Sequence, residues 1–375
     1  MVDARMARAC RGYAIGGRAG ADRNIRGARR WVMLFIGRSR AVLGAAAVLL
    51  GGLVGAVFAA TSVAQSTAIV AMGDSEISGE GAGSYEAATY GPSNYCHRSL
   101  NAWIKVVAIK ADAHINLACS GADSSNLTSG RPGQYGEPSQ ADRLASVAKL
   151  YRVKYIFVTV GANDDPDFGG TATRCVYAYV FQIGYGCAQT DGPTWANRVA
   201  NMEPKVQSAL GSIKAVMSTV HYPYQLIVVS YGGPAPEPPA RYADGQYWSK
   251  LWHGCPIYDA DAKWGHDTAA PVLDAGERTV AADANLRFLD MVDGFNGHEV
   301  CAKGITASQE WVRGVTYDPN SSDWWTAHAV QQSLHPNALG HSKIAGCVAE
   351  FVAQAYREGT CRIGSDGNLH SQPHP

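Results

Sequence analysis

The sequence predicts an α/β fold: a three-layer α/β/α sandwich with a central parallel sheet, carried by two observations. Short, continuously apolar runs alternate along the chain with segments of helical period, and residues able to do chemistry stand where those runs end. Strands apolar on both faces and separated by helices belong to a parallel sheet covered on two sides. Sites in such sheets form at the carboxyl ends of the strands.

Ala68–Met72 is the first run and stops at Gly73-Asp74-Ser75. Leu100, Trp103, Ile104, Val107 and Ala108 then recur at helical spacing. His114–Ala118 is a second short strand, ending at Cys119-Ser120-Gly121, and Ala141–Tyr151 is a helix. Tyr155–Val160 is the clearest strand, rich in β-branched and aromatic residues and followed by Gly161-Ala162-Asn163. Val206–Val220 is helical, Gln225–Ser230 a fourth strand, Pro271–Asn285 helical, Arg287–Met291 a fifth strand, and Asn337–Tyr356 a closing helix. The stretches 164–194 and 232–270 are rich in Gly and Pro, each with at least one cysteine, and read as loop insertions in one domain. No internal repeat is visible.

The first 64 residues form a separate segment, and 65–375 the domain. Ten arginines and two acids precede residue 41, Ala41–Ala60 carries no charge, and Ser62-Val63-Ala64 is a small-x-small cleavage signal. A basic start, an apolar stretch and small residues at the cut describe an export signal. An uncleaved anchor is the alternative, since about 20 apolar residues can span a bilayer. Met33 would itself start an ordinary signal peptide, and Arg29-Arg30 offers a twin-arginine route. Of the 32 basic and 32 acidic residues, ten and two lie in this segment, so the remainder holds 22 against 30, a formal −8. That balance disfavours nucleic acid as a partner, because phosphate binding needs a basic patch.

Eight cysteines remain after residue 64: Cys96, Cys119, Cys175, Cys187, Cys255, Cys301, Cys347 and Cys361. An even number in an exported chain predicts disulfides, against the alternative of buried free thiols. Sequence position favours neighbours, 96–119, 175–187, 255–301 and 347–361, and no C-x-x-C occurs to hold zinc.

Taken alone, Gly73-Asp74-Ser75 is an ordinary turn. Three further blocks change its meaning. Gly121, without a side chain, lets a backbone N–H approach a bound oxygen. Asn163 offers an amide donor just past a buried strand. His335-Pro336-Asn337 precedes the closing helix, with Pro and Asn as helix-start residues. An ester carbonyl needs a nucleophile, a base and oxyanion donors. Ser75 would be the first and His335 the second; the Ser75 and Gly121 N–H groups with the Asn163 amide would be the third.

These four blocks, in this order, resemble the GDSL or SGNH hydrolase superfamily, whose namesake residues would be Ser75, Gly121, Asn163 and His335. Within it the chain resembles the secreted, disulfide-bonded esterases and lipases of actinobacteria, as does Phe295-Asn296-Gly297-His298-Glu299-Val300-Cys301. The resemblance covers roughly residues 66–358. It implies the flavodoxin-like fold of that superfamily, no cofactor, a small-molecule or lipid ester as substrate, and a monomer outside the cytoplasm.

The chain departs from the family at one place. The acid usually found three residues before the histidine is Gln332 here. Some members use a main-chain carbonyl instead, so Gln332 is expected to orient His335 through its backbone oxygen, with Asp323 as the alternative. A carbonyl accepts only and still selects the Nδ1-protonated tautomer. Asp164, Asp165 and Asp167 read as a solvated turn rather than a calcium loop, because oxygen sites usually need about six ligands or more. Asn126-Leu127-Thr128 is a glycosylation sequon by pattern. Tyr247, Trp248, Trp252, Trp264, Trp311, Trp324 and Trp325 read as loop packing, or as a wall for an acyl chain or sugar. The rival functions are a carbohydrate O-deacetylase of the same superfamily and a catalytically silent cell-wall or binding protein.

Overall fold

The computed structural model describes residues 65–183, 186–238, 240–316 and 330–375. The proposed export segment, Asp323, Trp324 and Trp325 lie outside the described residues. Seven strands form one sheet: β1 Thr67–Gly73, β2 Ala113–Asn116, β3 Arg152–Thr159, β4 Gln225–Val229, β5 Arg287–Asp290, β6 Glu358–Ile363 and β7 Leu369–Pro373. Their spatial order is β2-β1-β3-β4-β5-β6-β7. The first six run parallel, and β7 returns antiparallel to β6.

Alternation along each strand explains why the sandwich has two apolar layers. Val70 and Met72 of β1, Ile156 and Val158 of β3 and Val228 of β4 face a core with Leu144, Met202, Leu210 and Val280. Ile69 and Ala71, Phe157, and Ile227 and Val229 face the opposite core with Trp103, Ile344, Val348 and Phe351. Helices Gln140–Leu150, Gly192–Met217 and Ala270–Asp283 supply the first layer; Trp103–Val106 and Ala338–Ala353 supply the second. With both faces covered, the buried stretch of each central strand is almost wholly apolar, which is the pattern that predicts the fold.

Several expectations need correction. The stretch 164–194 is not a plain loop, because Phe168–Phe181 is a 14-residue helix burying Thr171, Cys175, Val176, Ala178 and Tyr179. Gly169 and Gly170 disguise its start. The stretch 232–270 holds helices Tyr247–Trp252 and Asp259–Trp264. The helix expected from Val206 begins at Gly192 and runs through Pro204. Proline removes one intrahelical bond, but Trp195, Val199, Met202 and Val206 keep one buried stripe across it. Only Trp103–Val106 of the 100–108 segment is helical. Strands β6 and β7 escape sequence reading because EGTCRI and LHSQP lack a continuous apolar run.

The cysteines form the four neighbouring pairs Cys96–Cys119, Cys175–Cys187, Cys255–Cys301 and Cys347–Cys361. The first fastens an outer loop to the end of β2, the second ties two helices of the 164–194 insertion, and the last joins the closing helix to β6. Among the described residues no helix is long and apolar enough to cross a membrane.

Candidate active site

The turn after β1 is built around one glycine. Gly73 has φ of +134°, and a Cβ there would collide with the Thr159 carbonyl oxygen of β3. Asp74 is fully buried, donates its N–H to Thr159 O at 3.0 Å, and accepts the Glu76 N–H at 3.1 Å as N-cap of the short helix Ser75–Ser78. The cap holds Ser75 on the first helical residue. His335 Nε2 stands 2.7 Å from Ser75 Oγ, across 260 residues of sequence.

The other ring nitrogen corrects one expectation. Nδ1 donates to the Ser333 carbonyl at 3.0 Å, so the orienting oxygen belongs to Ser333 and not to Gln332. The cause is local: Leu334 adopts the left-handed region at φ of +61°, which turns the chain and brings the carbonyl two residues back onto the ring. Donation from Nδ1 leaves Nε2 with a lone pair directed at the serine hydroxyl. Burial lowers the proton affinity of His335, so the ring is neutral and able to accept at neutral pH.

Gly121 (φ +77°) and Asn163 line the same cleft as Ser75 and His335. Cys119 N donates to Gly73 O at 3.1 Å and Ala122 N to Cys119 O at 3.0 Å, which fixes the Gly121 turn beside the nucleophile. Among the described residues the Gly121 and Ser75 N–H groups meet no acceptor. Asn163 Nδ2 donates to Ala122 O at 3.0 Å and, at the longer distance of 3.5 Å, to Asp74 Oδ2. The four sequence blocks therefore converge on one point.

Sequence reasoning missed Tyr231, the second residue after β4. Its hydroxyl donates to Asp74 Oδ2 and accepts the Ala162 N–H at 3.2 Å, tying the nucleophile turn to the Asn163 turn. Its position past a strand end was the available signal. Also unforeseen is a buried carboxyl cluster behind the turn. Burial raises Asp74 to about 7, and burial with the nearby Asp74 raises Glu76 to about 8. Burial and Asp290 raise Asp274 to about 7, and Glu277, 1% exposed, is driven well above the carboxylate range by burial, Asp274 and Asp74. Arg278 bonds Asp274 at 2.8 Å and Asp290 at 3.2 Å.

The cleft encloses about 530 Å³, and Phe168, Ala172, Val176, Leu273 and Leu334 supply much of an apolar wall. A smaller cavity of about 60 Å³ lies behind Phe168 and Ala172. Tyr247, Trp248, Trp252, Trp264 and Trp311 are not in the wall of the main cleft. Tyr247 stacks on Tyr179, Trp264 packs edge-on to Trp195, and Trp311 stacks on His298, while Trp248 and Trp252 are exposed. The acidic loop is engaged by the protein itself: Asp164 accepts from Ser124, Asp165 pairs with Lys205, and Asp167 caps Gly170 N.

Comparison with known proteins identifies the family. Residues 71–343 match the GDSL-like Lipase/Acylhydrolase family. Lipase 1 of Streptomyces coelicolor is 28% identical over 310 residues, covering 81% of this chain and 92% of the relative. A lipase of Streptomyces rimosus is 27% identical over 285 residues, covering 74% and 84%. Among solved structures, the extracellular lipase of S. rimosus aligns at 22% identity and TM-score 0.47, over 74% of this chain and 95% of that one. The chain belongs to the GDSL-like lipase/acylhydrolase family and is a carboxylic ester hydrolase.

Proposed function

We propose that this protein is an exported serine esterase or lipase that works through an acyl-Ser75 intermediate, with His335 as base. The 2.7 Å contact between His335 Nε2 and Ser75 Oγ carries the reading, because Nδ1 is already committed to a carbonyl. As Ser75 Oγ attacks the ester carbonyl, its proton passes to Nε2. The oxyanion that develops is received by the Ser75 and Gly121 N–H groups and by Asn163 Nδ2, which gives up its long 3.5 Å bond to Asp74 for it. Each such donor is worth roughly 3–4 kcal/mol in comparable sites. His335 then protonates the leaving alkoxide. Water, deprotonated by the same ring, releases the carboxylic acid and restores Ser75.

The apolar wall of Phe168, Val176 and Leu273 favours an acyl chain over a sugar ring as the group held beside Ser75. The uncharged stretch Ala41–Ala60 and the four cysteine pairs support export, with residues 1–64 as the export segment. A fluorophosphonate probe should label the protein at Ser75, and Ser75→Ala should lose both labelling and activity. Labelling at another serine, or full activity in Ser75→Ala, overturns the mechanism.

A further inference from the structure

Among the described residues the site has a tautomer-setting carbonyl but no carboxylate bonded to His335, and a carbonyl stabilises an imidazolium less than a carboxylate does. A carboxylate does lie close by, on a different segment. Glu80 is fully buried, five residues after the nucleophile, and its N–H donates to Ser75 O at 3.1 Å. The next residue, Gly81, packs on the histidine itself: a Cβ there would sit 3.1 Å from His335 Cβ. Arg313 binds this contact from outside, its N–H donating to His335 O at 2.8 Å and its Nε to Gly81 O. Glu80 is thus carried on a short loop held against the main chain of Ser75 and the base of the His335 side chain.

An isolated buried carboxylate would take up a proton. This one is equipped to stay ionised. His97 Nδ1 lies 2.7 Å from Oε2, the Ser120 hydroxyl donates to Oε2 at 2.7 Å, and the Tyr85 hydroxyl donates to Oε1 at 3.1 Å. Burial pushes Glu80 up, but the bond to His97, the field of His335 and the bond to Ser120 outweigh it and hold the carboxyl below its usual range. His335 feels the same charge in return, which favours its protonated form. Among the described residues, the other ionisable groups facing the pair are Tyr135, which feels Glu80, and His341, which burial pushes down to about 3.

We propose that Glu80 is a positioning residue for the ester-hydrolysis reaction, its buried carboxylate stabilising the imidazolium of His335 in place of the missing family acid while its bond to Ser120 holds the Gly121 turn. This rests on the reading of Ser75 and His335 as nucleophile and base. Two jobs that one acid performs elsewhere are divided: the Ser333 carbonyl selects the tautomer and Glu80 supplies the charge.

The test is Glu80→Gln, whose amide oxygen still accepts from Ser120 and Tyr85 but carries no charge. Glu80 favours His335 in its protonated state, so its neutralisation moves the acidic limb of the kcat/KM profile to lower pH, by about half a pH unit or more. At the plateau kcat falls about tenfold with KM little changed, because the imidazolium formed in the transition state loses its support. Glu80→Asp, which keeps the charge, returns the limb to near its wild-type position. Fluorophosphonate labelling separates the two layers. A wild-type protein unlabelled at Ser75 fails the mechanism itself, whereas labelling at Ser75 with an unmoved limb in Glu80→Gln overturns the role of Glu80 alone. Should Glu80→Gln not fold, carboxyl-¹³C labelling of glutamate in the wild type replaces it. The Glu80 resonance should step at the His335 midpoint and lose that step in His335→Gln; no step overturns the proposal.

Discussion

Replacing Glu277 by Gln should stabilise the protein, and increasingly so as the pH rises. Glu277 is 1% exposed, with Asp274, Asp74 and Glu76 all adding to the repulsion on its carboxyl and the Tyr231 main chain easing it. Its proton affinity is raised in the folded state, so the unfolded chain ionises first, near the ordinary glutamate value of 4.5. Below that pH both states hold the proton and the residue costs little. As pH climbs toward the folded value, the unfolded state gains and stability is lost. Gln removes the charge but keeps the cost of burying a polar group, and replacing a buried charge by a neutral group is worth about 1–4 kcal/mol, so a gain of roughly 2 kcal/mol at pH 8 is expected. For a domain of this size that is about 4 °C in Tm. Thermal melts of both proteins from pH 4.5 to 9 check it. Melting points that differ by the same amount at every pH, or a Gln variant less stable at pH 8, would refute the reasoning.

Two further outcomes follow from the same geometry. Because Ser333 O and not Gln332 meets His335 Nδ1, Gln332→Ala should keep kcat within about twofold, and Gln332→Asp should do no harm; a hundredfold loss in Gln332→Ala, about 2.7 kcal/mol, would show that the side chain is the acceptor. Non-reducing peptide mapping should find the four neighbour disulfides, whose sequence separations run from 12 to 46 residues. Closing loops of this size is worth about 2–4 kcal/mol each, so reduction should lower Tm by more than 10 °C; free thiols at two or more positions would contradict the pairing.

Legibility followed burial. The central strands could be read because both faces are covered, which leaves Ala68–Met72 wholly apolar and Tyr155–Val160 apolar but for Thr159. Strands β6 and β7, at one end of the sheet, carry fewer apolar residues and stayed hidden. The helix Phe168–Phe181, a wall of the cleft, was hidden for another reason: Asp167 caps it through Gly170 N, and the paired glycines look like a loop. Ser75, Gly121, Asn163 and His335 were legible because each stands at a chain reversal that restricts residue choice. Tyr231 was not, since its hydroxyl acts on turns 69 residues or more away in sequence.

The orientation of His335 shows where spacing stops being informative. Counting back three residues from the histidine finds Gln332, and sequence logic then assigns the carbonyl of that residue. Backbone geometry assigns Ser333 instead, because one left-handed residue, Leu334, changes which carbonyl meets the ring. No propensity of leucine signals this, since the left-handed region is unfavourable for it. The turn is imposed from outside: Leu334 N donates to Arg313 O at 3.0 Å and Arg313 N to His335 O at 2.8 Å, two bonds that pin the residues on either side of the reversal. Arg313 also reaches Gly81 O, on the loop that carries Glu80. The segment that forces the tautomer-setting carbonyl into place is thus the one that clamps the proposed source of charge. With tautomer and charge supplied by separate segments joined at Arg313, position 332 has neither task to perform, and a glutamine there is compatible with an active site.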